Sequence, residues 1–190
     1  MHLKRCGWVK LSEAIYVAYH DNEWGKIHHD DVSIFELFSL ETQSAGLSWL
    51  TILKKRDAYR TAFEGFDLHK VAAYTPKDVE RIMTHFDVIK NKPKIESIIL
   101  NAKGFLEITQ EYGSIYDYFW QKIDYKTIIN SVDNYKNAQT TSALSDAIYK
   151  ELKKRGFKFI GSITIYAFMQ ASGMINDHEE SCFCKNSAIS

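Results

Sequence analysis

The apolar residues of this chain recur mainly three and four positions apart, which is typical of amphipathic helices. No segment shows the strict apolar and polar alternation of a half-buried strand, and no internal repeat is visible. The pattern therefore predicts an all-α fold. Helices are predicted at 33–41, 49–63, 92–106, 142–154 and 162–171, with one more beginning at Thr75 and Pro76. Residues 116–139 lack a clear period, and no element is predicted for them.

Local signals mark the starts of several of these helices. Ser48 precedes the segment that opens with Trp49, and a serine side chain at this position satisfies a free N–H group of the first turn. Proline suits the first helical turn because the N–H it lacks would have no partner there. The two prolines, Pro76 and Pro93, therefore predict helix starts rather than helix breaks.

A carboxylate interrupts one apolar stripe. Ile34, Leu37 and Phe38 share a face of a predicted helix, and Glu41 falls on the same face. Burying an unpaired carboxylate costs roughly several kcal/mol, so it persists when donors from the protein or a ligand compensate it. The glycine turn and tryptophan of Ala45–Trp49 follow directly. The pattern predicts a pocket at Glu41, and the alternative is that Glu41 reaches water or a lysine.

Composition narrows the class of protein. The chain has 190 residues, 45% of them hydrophobic, and 24 lysines and arginines balance 24 aspartates and glutamates. This length suits one sizeable core, and no linker composition marks a boundary, so residues 1–190 are expected to form a single globular unit. Zero net charge means that a polyanion must be bound by local patches. Without a membrane-length apolar run or a signal peptide, we expect a cytoplasmic protein with no membrane partner.

A glycine-containing turn between two predicted helices is a candidate phosphate-binding element. Gly156 fits the position that ends the first helix, and Gly161 with Ser162 fits the start of the second. Free N–H groups at a helix start attract anions. The alternative is a tight turn with a solvated basic rim. The nearby cations are Lys153, Lys154, Arg155 and Lys158.

The three cysteines lie only at the two ends of the chain, which does not suit a disulfide framework. Cys6 and His20 lie near the N-terminus, and His178 and Cys182 lie near the C-terminus. Two cysteines and two histidines can form a closed zinc site, which is structural because no position is left for water. Such a site would tie both termini together, and free thiols are the alternative. The rival ligands are Cys184, His2, His28 and His29.

Five sequence blocks together resemble the DNA-3-methyladenine glycosylase I family of bacterial base-excision repair enzymes. The resemblance runs from Cys6 to about Cys184, with the blocks in the family's order. The blocks are Cys6–Trp8, Tyr19–Gly25, Ala45–Trp49, Leu152–Gly161 and Asn176–His178.

The resemblance implies a helix-hairpin-helix DNA glycosylase fold whose terminal segments are joined by one structural zinc ion. The core would span about residues 30–172, between clamped segments at about 1–29 and 173–190. The implied zinc ligands are Cys6, His20, His178 and Cys182.

The resemblance also implies an activity, hydrolysis of the N-glycosidic bond of 3-methyladenine in alkylated double-stranded DNA. The base would be flipped into an aromatic pocket, and free 3-methyladenine would be the product. Glu41 would accept a hydrogen bond from the exocyclic amine of the base. No lysine matches a Schiff-base nucleophile, so a monofunctional enzyme is expected. The oligomeric state does not follow from the sequence, and a monomer is the default expectation.

The family's motifs assign a role to each candidate residue. The expected catalytic residues are Glu41, Trp49 and Tyr19, and the expected substrate-binding residues are Trp8, Tyr16 and Trp24. The expected DNA-binding residues are Ala45, Gly46 and Leu47, at the gap left by the flipped nucleotide, and Lys158, Gly161 and Ser162 in the hairpin.

Some positions depart from the family's pattern. Ser44 stands where a larger amide side chain is common, and Lys90 and Lys92 stand where arginines are common. Lysine keeps the charge but loses the bidentate geometry of arginine. Other helix-hairpin-helix glycosylases use a downstream aspartate that this family is understood to lack. Asp177, the nearest candidate, is expected to support its neighbour His178 or the fold.

Two other functions fit subsets of these residues. A DNA-binding module without catalysis would have no use for Glu41 facing Trp49 and Tyr19. A zinc protein that binds other proteins would leave the basic hairpin unexplained. DNA binding without base release would indicate the first function, and absence of salt-sensitive DNA binding would indicate the second.

Overall fold

The computed structural model describes residues 3–186, which are mostly helical. The predicted all-α class is confirmed. The helices are α1 (Ala14–Asn22), α2 (Asp31–Ser44), α3 (Trp49–Ala62), α4 (Leu68–Ala72), α5 (Pro76–His85), α6 (Lys92–Tyr112), α7 (Ile115–Trp120), α8 (Ala143–Lys154) and α9 (Ser162–Ala171). The strands are β1 (Ile128–Ile129) and β2 (Ile175–Asn176), and 3₁₀ turns occur at Glu64–Phe66, Gln121–Ile123 and Tyr135–Asn137.

The helix starts follow the local signals in the sequence. The Ser48 hydroxyl accepts a hydrogen bond at 3.2 Å from a backbone N–H in the first turn of α3. Asp78 accepts hydrogen bonds from both the N–H and the hydroxyl of Thr75, and Pro76 opens α5. Pro93 lies in the first turn of α6. The predicted starts of these three helices are confirmed.

Helix α2 is the centre of the core. All its residues from Ile34 to Gln43 are buried, and it contacts α3, α6, α7 and α9. The Phe38 ring packs edge-on against Phe105 on α6, with ring centroids 4.9 Å apart, and against Phe168 on α9 at 5.4 Å. This packing fixes the end of α2, where Glu41 lies.

A short parallel pairing of β1 with β2 departs from the helical pattern. Ile128 pairs with Ile175, and Ile129 pairs with Asn176. Strands of two residues are too short to give an alternating signal in the sequence. The pairing attaches the aperiodic segment 116–139 to the C-terminal segment.

The described parts of the two terminal segments pack together. The Phe183 N–H donates to the Lys4 carbonyl at 2.9 Å. A small buried cluster, separate from the main core, contains Cys6, Val9, Cys182 and Cys184. The predicted limits of the core and terminal segments remain a prediction, and residues 1–2 and 187–190 lie outside the described residues. Between residues 3 and 186, no helix has the length and apolar character needed to cross a membrane.

Candidate active site and metal centre

The predicted pocket residues surround one cavity of about 300 Å³. They come from the segment before α1, from α1 and the loop after it, and from the end of α2 and the start of α3. The structure thus brings together all of the predicted catalytic and substrate-binding residues. The residues are Trp8, Tyr16, Tyr19, Trp24, Glu41 and Trp49.

Glu41 lies in the last turn of α2 with 7% of its surface exposed. Burial raises its pKa from 4.5 to about 8, and the nearby Ser44 hydroxyl, which donates to the Glu41 backbone carbonyl at 2.8 Å, opposes part of that rise. No ion pair among residues 3–186 includes Glu41. The alternative in which Glu41 pairs with a lysine is therefore wrong for this structure. Glu41 is a buried carboxyl group that the protein leaves largely uncompensated.

Aromatic side chains form the walls of the cavity around Glu41. The Trp8 ring lies 5.2 Å from Tyr16 and 5.0 Å from Trp24, measured between centroids. Burial, followed by the charge of Glu41, raises the pKa of Tyr16, so its hydroxyl stays protonated at neutral pH. A cavity of aromatic faces with one carboxyl group that lacks strong protein donors suits a planar, electron-poor ring that carries a hydrogen-bond donor.

The rest of the cavity wall was not predicted from the sequence. It consists of Tyr135, Ala138, Gln139, Thr140, Ile163, Tyr166, Ala167, Gln170 and Asp177. The first four lie in or beside an aperiodic segment, and the next four lie on α9, which is apolar on most faces and so shows no stripe. The sequence held one signal, since Tyr166 and Gln170 are polar residues four positions apart on a helix whose other polar residues, Ser162 and Thr164, lie in its first turn.

Asp177 is the second carboxylate in the cavity wall, and it accepts three hydrogen bonds. Its Oδ1 accepts from Asn130 Nδ2 at 2.7 Å. Its Oδ2 accepts from the Tyr166 hydroxyl at 2.9 Å and from Gln170 Nε2 at 2.7 Å. Burial and the hydrogen bond to Asp177 raise the pKa of Tyr166, which therefore stays a donor. These donors compensate the buried charge and join α9 to the segment after β1.

The C-terminal segment also holds the loop that carries Tyr135. The Glu179 carboxylate accepts a hydrogen bond from the Tyr135 N–H at 2.8 Å and another from the Gly7 N–H at 3.0 Å. The buried Lys185 donates to the carbonyl of Asn130 at the start of the same loop. One side of the cavity is thus positioned by both terminal segments.

Cys6, His20, His178 and Cys182 form a buried cluster whose ligand atoms all lie within 4.8 Å of one another. Cys6 Sγ lies 3.4 Å from His178 Nδ1, and Cys182 Sγ lies 3.4 Å from His20 Nε2 and 3.6 Å from His178 Nδ1. Tetrahedral zinc, with bonds of about 2.3 Å to sulfur and about 2.0–2.1 Å to nitrogen, places such ligands about 3.5 Å apart. The cluster therefore fits a tetrahedral metal ion, and the predicted ligands are the residues that meet there.

Neighbouring groups support the cluster. Asp21 Oδ1 lies 2.8 Å from His20 Nδ1, and this contact leaves His20 Nε2 to face Cys182. The pKa of Cys182 is lowered, first by its hydrogen bond with Cys6 and then by those with the two imidazoles, so a thiolate is favoured.

The rival ligands fall into three groups. Cys184 lies in a second grouping, with His20 and Asp21. Neither His28 nor His29 joins a Cys/His cluster in the described part of the chain. His2 lies outside the described residues.

The metal centre and the cavity share a wall. The Trp24 ring packs edge-on against the His178 ring at 4.6 Å, and the Trp8 ring packs against the His20 ring at 5.2 Å. A metal ion that fixes both imidazoles would therefore also fix two walls of the cavity.

The turn between α2 and α3 exposes the residues predicted to meet DNA. The Leu47 N–H donates to the Ser44 carbonyl at 2.7 Å. Ala45 has φ −50° and ψ 115°, and Gly46 has φ +78°, so the turn is type II. A positive φ favours glycine at this position. Ala45, Gly46 and Leu47 are all exposed, Leu47 to 42%.

Helices α8 and α9 pack against each other across the turn at residues 155–161. Gly156 ends α8 with φ +89°, and Gly161 precedes α9, as predicted. The Ser162 hydroxyl lies 2.8 Å from that of Ser145 on α8. The predicted arrangement of two helices joined by a glycine-containing turn is confirmed. DNA contact at Gly161 and Ser162 remains a prediction.

Two features of this turn arise from contacts with residues that are distant in the sequence. The buried Asn101 side chain accepts from the Lys158 N–H at 2.8 Å and donates to the Lys158 carbonyl at 3.2 Å. Arg155 makes two hydrogen bonds to Glu111, at 2.7 and 2.8 Å. The charge of Arg155 is therefore paired within the protein, contrary to the expectation that it adds to a phosphate site, whereas Lys158 is exposed.

Comparison with known proteins agrees with this geometry. The profile of the family described as methyladenine glycosylase matches residues 8–185. The chain is 43% identical over 182 residues to DNA-3-methyladenine glycosylase 1 of Escherichia coli strain K12, a match that covers 96% of this chain and 97% of that protein.

Solved structures share the fold. The 3-methyladenine DNA glycosylase I of Staphylococcus aureus superposes with a TM-score of 0.92 at 36% identity, covering 96% of this chain and 97% of that one. A tyrosine-to-phenylalanine variant of 3-methyladenine DNA glycosylase I, in complex with 3-methyladenine, gives 0.91 at 36% identity, covering 95% and 97%. The chain belongs to the methyladenine glycosylase family.

Proposed function

We propose that the protein is a base-excision repair glycosylase that hydrolyses the N-glycosidic bond of 3-methyladenine in alkylated double-stranded DNA. The observation that carries the proposal is a cavity of about 300 Å³, walled by aromatic rings, with the uncompensated carboxyl group of Glu41. That volume lies at the lower end of the range for small-ligand sites, about 300–1,000 Å³, and suits a single base. The relatives named above bind or act on the same base.

The proposed recognition rests on charge. Methylation at N3 makes the adenine ring electron-poor, and aromatic faces attract such a ring. Glu41 accepts a hydrogen bond from the exocyclic amine, which favours the ionised carboxylate and so offsets the burial that raises its pKa. Trp49 and Tyr19 lie against each other with centroids 5.3 Å apart and form one wall beside Glu41.

The chemical step needs little acid catalysis because the methylated base is already an activated leaving group. The bond between the deoxyribose C1′ and N9 of the base breaks, and its electron pair stays on the departing base. A water oxygen bonds to C1′ and loses a proton to solvent. The products are 3-methyladenine and an abasic site. No lysine lines the cavity in the described part of the chain, so no Schiff base forms and the strand stays intact.

The base enters the cavity by leaving the duplex stack. Unstacking costs about a few kcal/mol, and an apolar side chain that fills the gap offsets part of this cost. The exposed Leu47 is the proposed filler, on a turn whose small residues Ala45 and Gly46 allow close approach to DNA. The proposed backbone contacts are Lys158, Gly161 and Ser162.

The proposed metal is one structural zinc ion held by Cys6, His20, His178 and Cys182. When bound, it cross-links the terminal segments and leaves no ligand position for water. In this proposed function the chain is one globular unit that acts as a monomer, with duplex DNA and the free base as its ligands.

Release of free base from methylated duplex DNA tests the proposal. Purified protein is incubated with the DNA, the released bases are separated chromatographically, and strand breaks are counted before and after hot alkali. We expect release of 3-methyladenine, with breaks only after alkali. Glu41→Ala should lose the release, whereas Glu107→Ala, at an exposed glutamate on α6, should keep it.

The contrary results point to the other functions. DNA binding without base release by the wild type would reduce the protein to a DNA-binding module. Absence of DNA binding would favour a zinc protein with protein partners. Strand breaks before alkali would contradict the monofunctional chemistry.

A further inference from the structure

A buried lysine caps the end of helix α2. Lys94 lies in the first turn of α6 with 7% of its surface exposed. Its Nζ donates to the Gln43 carbonyl at 2.9 Å and to the Ala45 carbonyl at 2.6 Å. The Gln43 carbonyl is one of those that a helix leaves without internal partners at its C-terminus, where the helix dipole also favours a cation, and the Ala45 carbonyl lies in the turn that follows.

Gln43 and Lys94 hold each other reciprocally. The Gln43 Nε2 donates to the Lys94 carbonyl at 2.9 Å, while the Lys94 ammonium donates to the Gln43 carbonyl. The Gln43 Oε1 accepts from the Tyr59 hydroxyl on α3 at 3.2 Å. Helices α2, α3 and α6 are thus joined at one point, directly before the turn that carries Leu47.

The Ala45 carbonyl is the group that decides the type of this turn. Types I and II differ by a rotation of the central peptide, here the one between Ala45 and Gly46. Gly46 accepts either orientation, because glycine has no Cβ to exclude one. The hydrogen bond from Lys94 therefore selects the type II turn in a segment whose own sequence leaves the choice open.

We propose that Lys94 is a positioning residue for base flipping, because it fixes the turn that directs Leu47 into the DNA. The inference rests on the proposed glycosylase function. Lys94 is too buried to contact phosphates, and the cavity is lined by other residues. Its loss should therefore slow flipping while leaving the salt dependence of DNA binding and the affinity for free base unchanged.

Lys94→Met tests the proposal, because methionine keeps most of the side-chain length and removes the ammonium. A methylated oligonucleotide is annealed either to its full complement or to a strand that places mismatches opposite its adenines. Single-turnover excision from the paired duplex should fall about 10- to 100-fold, since each 1.4 kcal/mol of barrier is about tenfold in rate. Excision from the mismatched duplex should stay within about threefold of wild type, because unstacking is already easy there.

Controls separate this role from a general loss of structure. The affinity for free 3-methyladenine should change by less than about twofold, and the slope of DNA binding against salt should not change. Lys103→Met, at an exposed lysine on the same helix, should leave excision unaffected. Leu47→Ala should give the same selective loss, and the double variant should lose little more, because both changes act on one insertion step.

Several results would overturn the proposal. The proposal would be refuted if Lys94→Met excised the base from paired DNA at the wild-type rate. It would also be refuted if the excision rate of Lys94→Met fell by the same factor on paired and mismatched DNA. A wild type that releases no base would instead refute the glycosylase function itself. If Lys94→Met does not fold, Lys94→Gln, which is also neutral, undergoes the same comparison, with Lys94→Arg expected to restore excision from paired DNA.

Discussion

Two buried carboxylates line the same cavity, and the protein satisfies only one of them. Asp177 accepts hydrogen bonds from Asn130, Tyr166 and Gln170, at 2.7 to 2.9 Å. Among residues 3–186, the nearby Ser44 hydroxyl is the one group that opposes the effect of burial on Glu41, whose pKa rises to about 8. Both residues are almost equally buried, so their difference lies in their partners rather than in their exposure.

The difference separates support of the fold from recognition of a ligand. A carboxylate whose donors are all within the protein stabilises the elements that supply those donors. A carboxylate without them costs stability until a ligand supplies a donor, and such residues mark functional sites. On the proposed function, Asp177 therefore holds the shape of the cavity, and Glu41 is the group that we propose binds the base.

The largest expected effect is the loss of excision rate in the Glu41→Gln variant. The variant should lose about 10²–10³-fold in single-turnover rate, the loss typical of removing one group that stabilises developing charge. Asp177→Asn should lose less than about threefold per folded molecule, because its partners lie within the protein. Equal losses in the two variants would remove the distinction between the carboxylates.

Loss of the metal centre should affect stability more than any single carboxylate does. Cys182→Ala, or chelation of the wild type, should lower the free energy of unfolding by more than about 3 kcal/mol, measured with denaturant. Cys184→Ala is the matched control, since Cys184 is also buried but lies outside the four-residue cluster, and it should cost less. An unaltered stability after chelation would contradict a structural metal.

Asp177→Asn should lower the free energy of unfolding by about 1–3 kcal/mol, because the new amide NH₂ faces groups that are themselves donors. Glu41→Gln should not destabilise the protein, since no strong partner is lost. Chemical denaturation of both variants at pH 7 makes the comparison. A destabilised Glu41→Gln beside an unchanged Asp177→Asn would reverse the assignment of roles.

The smallest expected effect is the pH dependence that Glu41 adds to stability. Between its ordinary pKa of 4.5 and the folded value of about 8, Glu41 holds a proton in the folded protein that the unfolded chain has released. Wild-type stability therefore falls as pH rises through this window, by at most about 1.4 kcal/mol per unit. Unfolding of wild type and Glu41→Gln at pH 6 and 7 measures it. The stability of Glu41→Gln relative to wild type should increase with rising pH. A constant difference between their free energies of unfolding would contradict the raised pKa.

Local signals explain what the sequence predicted well. Ser48 and Pro76 act within one turn of the helices they begin, so their effects could be read without tertiary structure. Glu41 was found because a charge on an apolar stripe conflicts with burial, and that conflict is visible in the spacing alone. The cluster of Cys6 with Cys182 was a candidate from residue types alone, but the family resemblance was needed to favour it over the rival ligands, because its two halves lie at opposite ends of the chain.

The features that the sequence did not predict depend on contacts between segments that are distant along the chain. The loop that carries Tyr135 is held by Glu179, 44 residues away, and its own sequence has no period to predict. Arg155 was expected to serve an anion, but Glu111, also 44 residues away, pairs with it. Neither partnership follows from helix periodicity, because each joins segments whose relative position is set by the whole core.

The most direct test of the central claim is the affinity of free 3-methyladenine for wild type, Glu41→Gln and Asp177→Asn. The tryptophans of the cavity, Trp8, Trp24 and Trp49, make fluorescence quenching a suitable signal. Glu41→Gln should weaken binding at least about tenfold, because a charge-assisted hydrogen bond is lost, while Asp177→Asn should stay within about threefold. Wild-type affinity in Glu41→Gln, with weakened binding in Asp177→Asn, would show that the base uses the other carboxylate.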